Sequence, residues 1–109
     1  MIVQIRSKEI TLNDEIKAHI EEGIDKFKKF SLDITRVNCM ISSEKESVLI
    51  EFDIHVAHTS PIIINENHKD LNAAIDIAVD RASKALRRLH DKVINHKGPS
   101  IKEFESLDV

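Results

Sequence analysis

The sequence of 109 residues has one cysteine, two glycines and two prolines, and it contains neither tryptophan nor tyrosine. A single cysteine, Cys39, excludes an intrachain disulfide and is typical of a protein in a reducing compartment. The low glycine and proline content argues against a low-complexity chain. No apolar run approaches the roughly 18 residues that cross a bilayer, and charge appears too early at the N-terminus for a signal peptide. We therefore expect one cytoplasmic domain that does not contact a membrane.

The motifs that mark catalysis or metal binding are also missing. There is no Gly-rich phosphate loop, no Cys-x-x-Cys and no His-Glu-x-x-His. The six histidines lack the spacing of metal ligands, so we expect their side chains to be exposed and solvated. They are His19, His55, His58, His68, His90 and His96. We predict that the protein is not an enzyme and has no catalytic residues, bound metal, cofactor or small-molecule substrate.

Strand patterning gives structural interpretations for the other reactive side chains. Cys39 alternates with Val37 and Ile41 on one strand face, which favours a buried, unreactive thiol. Glu51 and Asp53 lie on the outer face of another predicted strand, about 7 Å apart. Their position favours a polar, soluble sheet face over a general acid–base pair.

Hydrophobic periodicity predicts six elements in the order β-α-β-β-β-α. The predicted strands cover residues 2–7, 34–42, 50–56 and 62–67, and the predicted helices cover residues 12–30 and 70–95. A capping pattern that begins at Thr11 starts the first helix, and Gly98-Pro99 stops the second. A polar turn is expected over 42–47. Gly23 interrupts the first helix, and close packing against the sheet is one explanation for it.

These elements predict an α+β fold. Two helices with one apolar stripe each can cover one face of a four-stranded sheet. The first helix is a crossover that permits the first two strands to be parallel, and the last three strands form an antiparallel meander. The α-β-β-β-α part has the order of a double-stranded-RNA-binding domain. We expect residues 1–97 to form this domain and the acidic residues 98–109 to form a short flexible tail.

Basic residues are concentrated at the end of the second predicted helix, although the whole chain is acidic. Residues 81–97 hold six Lys or Arg against one Asp, a net charge of +5, whereas the chain carries −3. Bases in a last helical turn also stabilise the helix dipole, which accounts for two or three of them. Arg81, Lys84 and Arg88 fall on one stripe, and lysines that end the first helix would join them if the helices pack side by side. We predict a phosphate-binding patch on both helices. Its candidate residues are Lys26, Lys28, Lys29, Arg81, Lys84, Arg87, Arg88 and Lys92.

The second helix also resembles a known family. The run Asp70-Leu71-Asn72-Ala73-Ala74-Ile75-Asp76, with the bases that follow it, resembles the ribosome hibernation-promoting factor / ribosome-associated inhibitor family. This family is also called the sigma-54 modulation or ribosomal subunit interface protein family. The stretch from Glu9 to Phe27 and the element order are similar too, so the resemblance covers residues 1–97.

The resemblance implies a stress or stationary-phase factor. Such a factor binds the small ribosomal subunit and its rRNA where mRNA and tRNA would sit, blocks translation and helps idle ribosomes to persist. It also implies a short form without a second, dimerising domain, which we expect to be a monomer when free. The family's basic positions fall on Lys26, Arg81, Lys84, Arg88 and Lys92.

Four positions depart from the family pattern. Asn72 stands where an aromatic residue is usual, His68 where a glycine is usual, His90 where a lysine is frequent, and Leu89 where a polar residue is common. The patch is therefore less positive than is usual in the family. The acidic tail is similar to that of members that obstruct ribosome pairing, and whether this chain promotes or prevents pairing stays open.

Two alternatives to a ribosome-binding inhibitor also stay open. A generic double-stranded-RNA binder would bind bare duplex RNA as tightly as ribosomes, although the net charge of −3 weighs against it. A protein-interaction module would use the apolar tail residues Ile101, Phe104 and Leu107, and it would lose function when residues 99–109 are removed. A small α/β enzyme is less favoured than either, because no nucleophile, base and orienting group form a set.

Overall fold

The computed structural model describes the backbone of residues 1–97 and the side chains of residues 1–94. Its strands are β1 (Ile2–Lys8), β2 (Ile34–Glu44), β3 (Ser47–Val56) and β4 (Ile62–His68), and its helices are α1 (Asp14–Asp25) and α2 (Leu71–Lys97). A 3-10 helix (Lys26–Phe30) continues α1. The predicted α+β class and element order are thus confirmed. The predicted tail over 98–109 and the helix stop at Gly98-Pro99 lie outside the described residues.

The four strands form one sheet in sequence order, β1-β2-β3-β4. β1 and β2 are parallel because the helical connection crosses the sheet between them, and short turns make the β2–β3 and β3–β4 pairs antiparallel. β1 and β4 therefore point in the same direction. Since α1 follows β1 and α2 follows β4, both helices begin at the same end of the sheet, and corresponding turns of the two helices lie side by side.

The core lies between one face of the sheet and the helices. Successive residues of β3 alternate between faces, so Ile50, Phe52 and Ile54 are fully buried. Phe52 meets Phe27 of the 3-10 helix edge to face, with ring centroids 6.0 Å apart. The helices add a buried stripe that consists of Ile20, Ile24, Ala74, Ile75, Ala78, Ala82 and Leu86. Small alanines on α2 allow this helix to approach the sheet closely.

The first helix begins later than the capping pattern predicts. Asn13 is the N-cap, and its side-chain oxygen accepts a hydrogen bond from the N–H of Ile16 at 2.8 Å. Thr11 therefore does not cap the helix. Both residues are of types that cap helices well, and the sequence alone did not separate them.

The predicted helix over 12–30 is also not uniform. From Lys26 it changes to 3-10 geometry and ends at Ser31, which has a left-handed φ of 55°. A 3-10 helix has three residues per turn, so Phe27 and Phe30 both face the core and are both buried.

The β2–β3 hairpin is tighter than predicted. The turn expected over 42–47 shrinks to Lys45 and Glu46, because Glu44 still pairs with Ser47. The Ser47 hydroxyl donates a hydrogen bond to the carbonyl oxygen of Glu44 at 3.0 Å. The polar residues 42–44 and 47 therefore belong to the partly exposed ends of the two strands and not to a loop.

Gly23 serves a contact between the two helices. A Cβ added to Gly23 would lie 2.5 Å from Cγ2 of Val79 on α2, whereas carbon atoms in contact are about 3.5–4.0 Å apart. The interpretation that Gly23 packs against the sheet is therefore wrong. A glycine at this point lets the backbone of α1 approach α2, and this contact sets the separation of the helices.

Candidate nucleic-acid interface

A cleft of about 680 Å³ lies between α1 with its 3-10 extension and α2. Its first wall consists of His19, Glu22, Gly23, Lys26 and Lys29, and its second wall consists of Asp76, Val79, Asp80, Ser83, Lys84 and Arg87. The close contact of Gly23 with Val79 lies within it. Both walls are helices that pack on the hydrophobic core. The backbone positions of the residues that line the cleft are therefore fixed.

Charge is segregated along this cleft. The end nearest the helix starts holds His19 with the acids Glu22 and Asp76, and Asp80 lies between this end and the bases. The other end holds four bases, two from each wall, and we call it the basic end of the cleft. These bases are Lys26, Lys29, Lys84 and Arg87. The structure therefore brings together bases that are separated by more than fifty residues of sequence.

The charge at the basic end of the cleft is available to an anion. Among the described side chains, no carboxylate oxygen lies within 4.0 Å of a nitrogen of Lys26, Lys29 or Arg87. Lys84 pairs with Asp80 at 3.1 Å, but both side chains are 64% exposed. An exposed pair of this kind contributes about 0.3–0.5 kcal/mol. A phosphate can therefore replace the carboxylate at little cost.

Arg81 lies outside the cleft, at the edge of the sheet. Its guanidinium donates hydrogen bonds to the backbone carbonyl of Asn65 at 2.6 Å and to the carboxylate of Glu66 at 2.9 Å. Both acceptors belong to β4, and Glu66 is only 21% exposed. Arg81 thus fastens α2 to the edge strand, and its charge is already compensated.

The other predicted bases surround the cleft without lining it. Lys28 forms an ion pair with Asp25 at 2.8 Å and lies toward β1. Arg88 and Lys92 are exposed. They follow Arg81 by seven and eleven residues, a spacing that places all three on the same side of α2. The predicted set is therefore divided among the basic end of the cleft, the outer side of α2 and, for Lys28 alone, the side that faces β1.

His19 is a cleft residue that the sequence analysis did not identify. Its Nδ1 lies 3.1 Å from the Asn72 side-chain oxygen, and its Nε2 lies 2.7 Å from a carboxylate oxygen of Asp76. The hydrogen bond to Asp76 raises the pKa of His19 above its ordinary 6.5, with help from Asn72 and from the charges of Asp76 and Glu22, while burial opposes this shift. The partners are 53 and 57 residues away in sequence, so no local pattern indicates the bridge.

The expectation that the histidines are simply solvated is wrong for three further residues, one of which is His90, whose Nδ1 lies 3.6 Å from a carboxylate oxygen of Asp91. His55 lies 3.1 Å from the carboxylate of Asp53 on the same strand face, and Nδ1 of His68 accepts a hydrogen bond from the backbone N–H of Asp70. The side chain of His96 lies outside the described residues. In the part of the chain that the structure describes, no three His, Cys, Asp or Glu side chains are grouped to hold a metal.

Cys39 and the acids of β3 are placed as predicted. Cys39 is buried in the core, and burial raises the pKa of its thiol to about 12. Glu51 and Asp53 lie on the sheet face that points away from the helices, where Asp53 contacts His55. Over residues 1–97, no helix is long and apolar enough to cross a membrane.

Comparison with known proteins decides the family. The model of the Sigma 54 modulation protein / S30EA ribosomal protein family matches residues 3–94, which cover both walls of the cleft and all of the strands and helices except the first residue of β1 and the last three of α2. The chain belongs to this family. The family resemblance inferred from the second helix is thereby confirmed.

Individual proteins extend this result. The "Ribosome hibernation promoting factor" of Azotobacter vinelandii is 28% identical over 97 residues, which cover 89% of this chain and 90% of that relative. The N-terminal domain of Thermus thermophilus Protein Y has a TM-score of 0.73 at 21% identity, covering 82% of this chain and 99% of that one. A ribosomal subunit interface protein from Coxiella burnetii has a TM-score of 0.75 at 10% identity, with coverages of 84% and 99%. The two structures establish a shared fold, and the family with its relative supports a ribosome-associated modulation factor.

Proposed function

We propose that this chain is a ribosome hibernation factor whose basic cleft binds rRNA of the small subunit and occupies the path of mRNA and tRNA. The observation that carries the proposal is the basic end of the cleft, where bases of two separate elements line facing walls in a chain of net charge −3. The relative named as a hibernation promoting factor supports the ribosome as the source of the polyanion. Such a factor acts in the cytoplasm, as a monomer when free.

The chemistry of the basic end suits a phosphate backbone. Arg87 can donate two parallel hydrogen bonds to one phosphate, while Lys26, Lys29 and Lys84 supply point charges on flexible stems. Screening at physiological salt acts over about 8 Å, so acids on the far sheet face contribute little at this site. Occupying the path by volume is sufficient for inhibition, and no covalent step is required.

The remaining predicted bases form a proposed outer set of contacts. Arg88 and Lys92 project from the exposed side of α2 and would extend the contact along the rRNA. Lys28 would approach the rRNA at the rim of the 3-10 helix. Arg81 is held by β4, so its main role in this proposal is to orient α2.

Co-sedimentation with purified small subunits over a salt series tests the proposal. If only the four bases of the basic end each contact a phosphate, the logarithm of the affinity should fall with the logarithm of salt concentration with a slope of about −3, and contacts from Arg88, Lys92 and Lys28 would steepen the slope to about −5 to −6. The variant Lys26→Glu/Lys84→Glu/Arg87→Glu should lose binding at physiological salt while its circular dichroism stays unchanged. Retained binding in this folded variant would refute the assignment of the cleft.

A matched control has the same change in net charge at other places. Lys8, Lys17 and Lys45 are exposed and lie outside the cleft lining, so their joint change to Glu should leave the salt slope unchanged and reduce affinity little. Equal loss in both variants would mean that only total charge matters. Competition with bare duplex RNA separates a ribosome-specific factor from a generic duplex binder, which the duplex would displace from the subunit.

A further inference from the structure

His19 joins the two walls of the cleft through both of its ring nitrogens. Nδ1 faces the Asn72 side-chain oxygen at 3.1 Å and Nε2 faces a carboxylate oxygen of Asp76 at 2.7 Å. A neutral imidazole has one N–H, whereas an imidazolium has two and can donate to both oxygens at once. The geometry around His19 therefore suits a charged ring that bridges α1 and α2.

We propose that protonated His19 is a positioning residue that holds α1 against α2 at the spacing the basic end of the cleft requires, and that rRNA binding weakens when His19 loses its proton. This inference rests on the proposed function of the cleft. No reaction is involved, since the proton exchanges with solvent and the ring side chain is 32% exposed.

The charges around His19 support the protonated form. Asp76 faces it from α2, Glu22 faces it from its own helix, and both raise the pKa of the ring, as does the hydrogen bond to Asn72, against the opposing effect of burial. Asp80 lies further along the same wall as Asp76. The opposing cations are at the other end of the cleft, and they are Lys26, Lys29, Lys84 and Arg87. The described side chains that line the cleft all come from the helical walls, so no group of the sheet adds to this balance.

The position of the bridge explains how it acts on the basic end. Gly23 follows His19 by one turn and contacts Val79, and Lys26 follows by almost another turn. The bridge and the glycine contact thus fix two successive points along the interface between the helices. Without the bridge, α1 and α2 still share the core and the Gly23 contact, but the tie at His19 is lost and the spacing of the facing bases loosens.

The direction of the pH effect follows from the raised pKa. The ring is protonated and the bridge is complete below the unfolded value of 6.5, and the bridge is lost as pH rises through the higher pKa of the folded protein. A neutral ring keeps both contacts only if the Asn72 amide turns to donate its NH₂, and it still loses the ion pair with Asp76. Binding should therefore be tightest in mildly acidic solution.

The test measures small-subunit affinity of the full chain between about pH 5.5 and 8.5 at constant ionic strength, together with the NMR titration of the His19 ring in the free protein. The wild-type affinity should fall about two- to fivefold with rising pH, as expected for a partly exposed ion pair, with a midpoint at the measured His19 pKa. His19→Gln should show the lower affinity at every pH. His58→Gln is the matched control, because His58 is exposed and outside the cleft, and it should keep the wild-type profile.

Two results would overturn the proposal. One is a wild-type pH profile that persists in His19→Gln, and the other is a His19 pKa at or below 6.5 in the free protein. Asp76→Asn is a second variant that preserves the shape of the site, and it should lower the His19 pKa and flatten the binding profile. If the wild-type chain binds no subunits at any pH, the proposed function fails, while the titration of the free protein still decides whether the bridge exists.

Discussion

The substitution Gly23→Ala offers the sharpest check on the helix contact that shapes the cleft. In an isolated helix it would stabilise by about 1 kcal/mol, because alanine has a much higher helix propensity than glycine. In the protein, the added Cβ would lie 2.5 Å from one methyl carbon of Val79 and 3.4 Å from the other. Val79 is only 8% exposed, and a β-branched side chain in a helix has one strongly preferred rotamer. Overpacking of this kind costs about 1–3 kcal/mol, so we expect a net destabilisation of about 0–2 kcal/mol.

Val79→Ala provides the background in which the sign should reverse. This change removes both methyl carbons and leaves the Cβ of residue 79, which would be 3.5 Å from the new Cβ, an ordinary contact distance. Alone, Val79→Ala should cost about 1–3 kcal/mol because it leaves a small cavity. Added to it, Gly23→Ala should stabilise by about 1 kcal/mol from helix propensity. The two changes should therefore show a favourable coupling of about 1–3 kcal/mol.

Urea unfolding of the wild type, both single variants and the double variant measures this cycle, and small-subunit pelleting of the same four proteins reports on the cleft. Gly23→Ala should weaken pelleting, since the helices must separate to admit the methyl group, and the double variant should recover. A gain of stability from Gly23→Ala in both backgrounds would show that the helices do not touch at this point. A loss in both backgrounds would show that Val79 is not the obstacle.

Three further outcomes follow from single contacts. Asn13→Ala should cost about 1 kcal/mol of thermal stability because it removes the N-cap of α1, whereas Thr11→Ala should change the stability by less than about 0.5 kcal/mol. A larger loss in Thr11→Ala than in Asn13→Ala would show that Thr11 is the cap. Because burial raises the pKa of Cys39 to about 12, iodoacetamide at pH 8 should label the thiol only after unfolding in urea, and rapid labelling of the folded chain would contradict its burial. Arg81→Ala should destabilise the protein by about 0.5–1.5 kcal/mol in urea unfolding, because it releases α2 from β4. Lys84→Ala should mainly weaken pelleting with the small subunit. The opposite pattern would refute a structural role for Arg81 and a binding role for Lys84.

Periodicity was sufficient for the fold because each element buries one face. The alternation of Ile50, Phe52 and Ile54 shows which side of β3 meets the core, and the apolar line of α2 does the same at helical spacing. Boundaries were less well determined. Thr11 and Asn13 are both good caps, and only their contacts in the folded chain distinguish them.

The sequence predicts which basic residues belong to the candidate site, but it does not predict how they are placed relative to the two helices. Arg81 and Arg87 are six residues apart, so they project from α2 in directions about 120° apart. The sequence shows this separation, yet it does not show which of the two faces α1. The contact of Gly23 with Val79 decides the matter, because it turns the Arg87 side toward α1 and leaves Arg81 at β4. His19 was missed for the same reason, since Asn72 and Asp76 become its neighbours only when the helices are set side by side.

The arrangement also explains how an acidic chain can serve a polyanionic partner selectively. A uniformly basic domain gains affinity for any nucleic acid from the charge of the backbone. In this chain the net charge is −3, and four bases are confined to one end of a cleft whose other end holds Glu22 and Asp76, with Asp80 between them. Beyond about 8 Å the charges are screened, so attraction arises only where the shape of the RNA places phosphates against the basic end and none against the acids. Under the proposed function, discrimination between the ribosome and bare duplex RNA would result from a repulsive element as well as an attractive one, and in the duplex competition the balance of charge along the cleft should matter more than the number of bases.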